Sequence, residues 1–169
     1  IDNSKFGLAD LVVANNVVAH VPDINDFLRG IHLLLKNSGS CSIEFPHLLN
    51  LIKENQFDTI YHEHYSYFSL KVIKRIADAV GLFIEDIEEI PTHGGSLRVW
   101  FKKIKPLIIP PNVERILNCE LKFQLESFVC YENFQERAFQ VKLDFLSFLI
   151  ESKKKKLNIY GYGAAAKGN

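Results

Sequence analysis

Apolar and polar positions along this chain fall into two alternating periods. Leu11-Val12-Val13-Ala14 is a short continuous apolar run, the pattern of a strand buried on both faces of a parallel sheet. It leads into Asn15-Asn16 and then His20-Val21-Pro22-Asp23, where Pro22 and Asp23 predict a turn and a helix N-cap. From Ile24 to Lys36, the residues Ile24, Phe27, Leu28, Ile31, Leu34 and Leu35 recur at three-and-four spacing, which predicts a helix with one apolar stripe. Asn37-Ser38-Gly39 is its predicted stop, and Ser40 to Phe45, closed by Pro46, a second strand. Strand, helix, strand at this length predicts a right-handed crossover between parallel strands.

Helical periodicity is weak from His47 to Asn55, and the aromatic segment Tyr61 to Phe68 is predicted to be irregular. Ser69 is expected to cap a helix running through Val80, with Gly81 as its end. Leu82 to Glu89 and Ser96 to Lys102 alternate and are β-rich, and Pro91-Thr92-His93-Gly94-Gly95 between them holds the glycines of a reversal, so an antiparallel pair is predicted. Three prolines cluster with apolar residues from Ile104 to Pro111, and this change in composition marks the predicted domain boundary. Val113 to Lys153 reads as helical. Within it Phe134, Ala138, Val141, Phe145 and Phe148 form a seam expected to pack on a partner helix or sheet, as core rather than as a cofactor box. A strand, Leu157 to Tyr160, and a glycine-bearing tail to Asn169 complete the pattern.

Composition sharpens this picture in three ways. The 169 residues suffice for one domain with a real core or parts of two, and 47% hydrophobic with 24% charged residues is ordinary for a globular protein. A formal net charge of +0 gives no basic field for nucleic acid or an anionic membrane, and no apolar run reaches the ~18 residues of a membrane span. The Lys153–Lys156 run is expected to end a helix in solvent. Cys41, Cys119 and Cys130 are odd in number and widely spaced, which predicts reduced, mostly buried thiols and a cytoplasmic location. Methionine is absent even at position 1, so a fragment of a longer protein is expected.

Chemistry concentrates in Tyr61-His62-Glu63-His64. An imidazole can exchange a proton near neutral pH, a carboxylate can orient it, and a tyrosine hydroxyl can donate to a developing oxyanion. A polar loop with surface histidines would share this composition. Ligands of open parallel sheets bind beyond the carboxyl ends of the strands. Asn16 and His20 follow the first strand and His47 the second, so His20 is expected to converge with Glu63 and His64. Local backbone capping by Asn16 and His20 is the alternative. His62 and His64 with His93, His20 or Glu63 could ligate zinc or iron, but the His-x-His spacing is short and the third ligand remote. Gly161-x-Gly163 after a strand, with Lys167, suits a phosphate yet lacks the third glycine of the dinucleotide motif and the Ser or Thr of a Walker loop. Thr92 to Arg98 is a hairpin with a polar turn, from which Arg98 could reach an anion.

Taken in order, Asn15-Asn16 with His20-Val21-Pro22-Asp23, Ile43-Glu44-Phe45-Pro46, Gln56 through Ser69, Thr92 through Arg98 and Tyr160 through Asn169 resemble the sugar C-methyltransferases, which act on nucleotide-linked 4-keto-deoxy sugars. The resemblance implies an α/β fold: a partial Rossmann-like class I methyltransferase sheet of two parallel strands plus an antiparallel pair, then a helical segment leading into a second α/β domain. Residues 1–104 would be the carboxyl-terminal half of the S-adenosylmethionine-dependent domain, and 105–169 the start of a nucleotide-sugar-binding domain. The glycine-rich cofactor loop and a structural zinc would belong to parts outside this chain. The implied reaction is methylation at C3, with His64 as the base that removes the C3 proton. Tyr61 and His20 would contact sugar and enolate, and Glu63 the sugar hydroxyls or His64. Asn16 would contact S-adenosylmethionine or the sugar, while Gly161, Gly163, Lys167 and Asn169 would face the diphosphate. The implied partner is a nucleotide sugar. Rivals are a metal- or nicotinamide-dependent sugar-nucleotide enzyme and a nucleotide-sugar-binding module. For Tyr61, Glu63 and His64 to share a site, the backbone must bend there, turning His62 away.

Overall fold

The computed structural model describes residues 7–163. Strands β1 (Ala9–Asn15) and β2 (Leu35–Pro46) pair in parallel from Leu11 opposite Ser40 to Asn15 opposite Glu44. Strands β3 (Phe83–Ile90) and β4 (Ser96–Lys102) are antiparallel, as their alternation predicts, and β4 also pairs antiparallel with β2. The sheet order is therefore β1-β2-β4-β3, with β4 inserted against the direction of its neighbours. Apolarity explains which strand sits inside. Leu97, Val99 and Phe101 of β4 are fully buried, whereas β3 carries Glu85, Asp86, Glu88 and Glu89, suited to an edge.

Helix α1 (Ile24–Leu34) crosses from β1 to β2, its amino end capped by the Asp23 carboxylate accepting from the Asp26 amide at 3.0 Å. It ends two residues earlier than its periodicity suggests, and Leu35 opens β2 directly. The predicted stop Asn37-Ser38-Gly39 lies instead inside β2, opposite a register shift between Ala9 and Leu11. Gly39 is required there. A Cβ would fall 2.9 Å from the Ala9 carbonyl oxygen and 3.0 Å from that of Asp10.

Leu48–Lys53 forms helix α2, where helical periodicity is weak; six residues are too few to display a stripe, but Leu51 and Ile52 are buried. Helix α3 (Leu70–Ala79) starts at Ser69, whose hydroxyl accepts from the Val72 amide at 3.2 Å. Leu70, Ile73 and Ala77 pack with Leu28, Ile31, Phe45 and Phe101 in one core. The predicted helix Val113–Lys153 is in fact two, α4 (Pro111–Lys122) and α5 (Phe134–Lys154). Val113 and Ile116 of α4 join the core.

The seam on α5 does not find the partner its spacing predicts. Val141, Phe145 and Phe148 are 46%, 59% and 58% exposed, and Phe145 and Phe148 stack on each other with centroids 6.4 Å apart. Nor is Leu157–Tyr160 a strand: among the described residues it is irregular and takes no place in the four-stranded sheet. The cysteines are free, but only Cys41 is buried, its thiol pushed up to about 12 by burial; Cys119 is exposed. Among the described residues no helix is long and apolar enough to cross a membrane.

Candidate active site

A cleft of about 410 Å³ opens beyond the carboxyl ends of β1 and β2. Three loops wall it. The first follows β1: Asn16 takes a left-handed backbone (φ 53°) and its amide donates to the Glu44 carbonyl at 2.8 Å. A single helical turn, Val18–His20, then buries Val18 and Ala19 and leaves His20 exposed at the cleft. The second loop runs from Gln56 to His64. It is joined to the first by the Tyr65 amide, which donates to the Ala19 carbonyl at 2.8 Å. The third contributes His93 and Gly94, between β3 and β4.

The backbone at Tyr61–His64 is a turn, closed by the His64 amide on the Tyr61 carbonyl at 3.1 Å. That bend puts Tyr61 and His64 on the cleft wall together and leaves His62 exposed outside it, edge-on to Tyr61 at 5.7 Å. The His64 ring lies 4.6 Å from Tyr61, 4.8 Å from His20 and 5.9 Å from Tyr67, centroid to centroid. Burial pushes the Tyr67 hydroxyl up and keeps it protonated, against a smaller opposing effect of its hydrogen bond with the Tyr61 backbone. His64 Nδ1 lies 2.9 Å from the Thr59 carbonyl oxygen. A carbonyl can only accept, so Nδ1 carries the hydrogen, and in the neutral ring the lone pair belongs to Nε2.

Glu63 stands differently from its neighbours. It is exposed and outside the cleft lining, and its Oε2 accepts from the Tyr61 hydroxyl at 3.2 Å. The ring of His64 is thus held by a backbone carbonyl rather than by this carboxylate. Arg98 is engaged by Glu44 at 3.0 Å and Glu88 at 3.4 Å, across β2, β4 and β3, and is no open anion ligand. Asn16 lines the cleft with a buried Oδ1 that has no partner among the described residues. Gly161 and Gly163 lie exposed in an irregular segment and are not among the residues lining the cleft; Lys167 and Asn169 fall outside the described residues. No group of three His, Cys, Asp or Glu among the described residues is placed to hold a metal ion. The cleft also enlists Gln56, Asp58 and Thr59. No chemistry marked these beforehand, although they stand in the same block as Tyr61 and His64.

A family model described as a methyltransferase domain matches residues 2–87, just over half of the chain. The chain belongs to the methyltransferase family. A second family model, a C-methyltransferase C-terminal domain, matches residues 91–169 of this methyltransferase chain. The C-methyltransferase NovU of Streptomyces niveus is 34% identical over 167 residues, covering 98% of the chain and 40% of NovU. The chain thus spans less than half the length of that relative. Among solved structures, magnesium protoporphyrin IX methyltransferase of Synechocystis PCC 6803 aligns with a TM-score of 0.46 at 16% identity, over 60% of this chain and 48% of that one. The PH0226 protein of Pyrococcus horikoshii OT3 aligns with a TM-score of 0.46 at 14% identity, over 55% and 50%. Likenesses of that size decide nothing about the site.

Proposed function

We propose that the protein carrying this chain transfers a methyl group from S-adenosylmethionine to C3 of a nucleotide-linked 4-keto-deoxy sugar, by way of an enolate. The observation that carries this reading is the His64 ring, fixed through Nδ1 by the Thr59 carbonyl at 2.9 Å within a cleft shared with His20 and Tyr61. The kinship with a C-methyltransferase supports the reaction class. S-adenosylmethionine would supply an electrophilic methyl on sulfur. The orphaned, buried Oδ1 of Asn16 fits a hydroxyl or ammonium donor of that cofactor or of the sugar.

In this reading His64 Nε2 takes the C3 proton, made acidic by the adjacent ketone. Charge passes to the ketone oxygen, and the His20 ring bears on the enolate so formed, joined by the Tyr61 hydroxyl once its hydrogen turns from Glu63 to the new oxyanion. Glu63 orients the Tyr61 hydroxyl through the 3.2 Å contact. We assign the tail residues Gly161, Gly163, Lys167 and Asn169 to the diphosphate. We also read residues 1–104 as the latter half of the methyltransferase domain and 105–169 as the start of a sugar-nucleotide domain; α4 packs into the core of the former.

The test is exchange of the C3 proton with solvent deuterium in the full-length protein without the methyl donor. His64→Ala should slow it by about 10²–10⁴-fold, the usual contribution of a positioned base. Undiminished exchange would remove His64 from its role.

A further inference from the structure

His93 is placed like a recognition residue. It lines the same cleft as His20, Tyr61 and His64, its side chain is exposed, and it makes no hydrogen bond or ring contact with any described residue. Its backbone is left-handed, with φ 51° and ψ 33°. A glycine would adopt that conformation without steric conflict, so the side chain is kept at a conformational cost. Gly94 and Gly95 follow with φ 79° and 110°, giving three consecutive positive values of which only the first belongs to a residue with a side chain.

The surrounding structure holds this conformation firmly. The Thr92 hydroxyl donates to buried Glu44 at 3.2 Å, and the Thr92 carbonyl accepts from the Gly95 amide at 2.9 Å and the Ser96 hydroxyl at 3.1 Å. Gln56 Nε2, from the loop that carries His64, donates to the Gly94 carbonyl at 2.7 Å. A Cβ on Gly94 would strike that same Gln56 amide. The loops bearing His64 and His93 are therefore locked together, and His93 is fixed relative to the base.

Charge separates the possible ligands. Among the described residues lining the cleft there is neither Lys nor Arg. Such a cleft does not neutralise a diphosphate, whereas its volume suits a sugar ring. A neutral imidazole offers one donor and one acceptor, which matches a hydroxyl; a diphosphate only accepts.

We propose that His93 contacts the sugar of the nucleotide-sugar substrate and sets its affinity, leaving the nucleotide to other parts of the protein. This rests on the function proposed above. The full-length protein and its His93→Gly and His93→Asn variants would be titrated with thymidine-, cytidine- and guanosine-diphosphate 4-keto-6-deoxyhexoses, and with the three nucleoside diphosphates alone. Both variants should bind the preferred nucleotide sugar about tenfold more weakly, the worth of one hydrogen bond to a sugar hydroxyl. KM should rise in step, while bare diphosphate affinity and C3 exchange at saturating sugar stay unchanged. His93→Gly should also raise the melting temperature, because it relieves the left-handed backbone; a merely structural histidine would lower it. Equal weakening toward the bare diphosphates, unchanged sugar affinity, or a loss of exchange at saturation would each overturn the assignment. Should the unaltered protein bind none of the sugars, the proposed function fails, and this inference with it.

Discussion

Gly95 illustrates how much of the cleft depends on single backbone positions. With φ at 110°, it occupies a region L-residues rarely adopt, and a Cβ would collide with the Asn50 side-chain amide. That amide itself donates to the Gly95 carbonyl at 3.4 Å, and the same carbonyl accepts from the His47 amide at 3.1 Å. Gly95→Ala is expected to lower stability by about 2 kcal/mol through backbone strain alone, read as a shift in urea midpoint against the unaltered protein. Residues with reactive side chains were the legible part of the cleft: His20, Tyr61 and His64 could be assembled from their chemistry and from the rule that parallel strands open at their carboxyl ends. Thr59 could not, because its contribution is a carbonyl oxygen that every residue type carries. Glu63 also escaped a definite role in the sequence, which left it between the sugar hydroxyls and His64; its contact with the Tyr61 hydroxyl depends on how sharply the turn is wound.

At the scale of elements, the long periodic segments were the readable ones. Helices α1 and α3 follow from their stripes and caps, and Asp23 and Ser69 occupy the cap positions their chemistry suggests. Helix α2 was hidden because two buried residues in six leave no measurable period. The break between α4 and α5 was hidden because Phe123–Asn133 holds no Gly or Pro to mark a stop. What ties α4 to the cleft is equally invisible in one dimension. Buried Glu120 accepts from Leu70 N at 2.5 Å, Lys71 N at 3.0 Å and the His47 ring at 2.7 Å. It thereby caps α3 and anchors the residue that follows β2, whose neighbour Leu48 donates to the Phe68 carbonyl at 3.0 Å. Glu120→Ala strands the buried Leu70 amide and His47 ring, and the part-buried Lys71 amide, at once. The loss should be about 3 kcal/mol, and the amides of Leu70 and Lys71 should exchange with deuterium roughly a hundredfold faster. Exchange rates that match the unaltered protein would mean the carboxylate contributes nothing to the α3 end.

Across the whole molecule, the sheet and α1, α3 and α4 share one core, while α5 stands apart from it. The order β1-β2-β4-β3 could not be read from the alternation that revealed β3 and β4, because alternation marks a strand but not its neighbours; only the apolar weight of β4 favours the interior place. The α5 seam shows the converse error. Its spacing is that of a buried face, yet among its described residues only Ser152 is buried. Arg137 supplies a tie back to the core, donating to the Ile52 carbonyl at 2.8 Å. Opening free energy follows buried apolar contact, so the connection between α4 and α5 should be the first part of this chain to yield to a protease. Phe128 is 90% exposed there and offers chymotrypsin a ready site. Limited digestion followed by mass spectrometry should show early cleavage at Phe128 and a resistant product that retains the sheet with α1–α4. A first cut within β2 or α3 would mean that the core, and not the α5 junction, is the weaker part. A junction that resists throughout would mean that the exposed face of α5 is covered in solution.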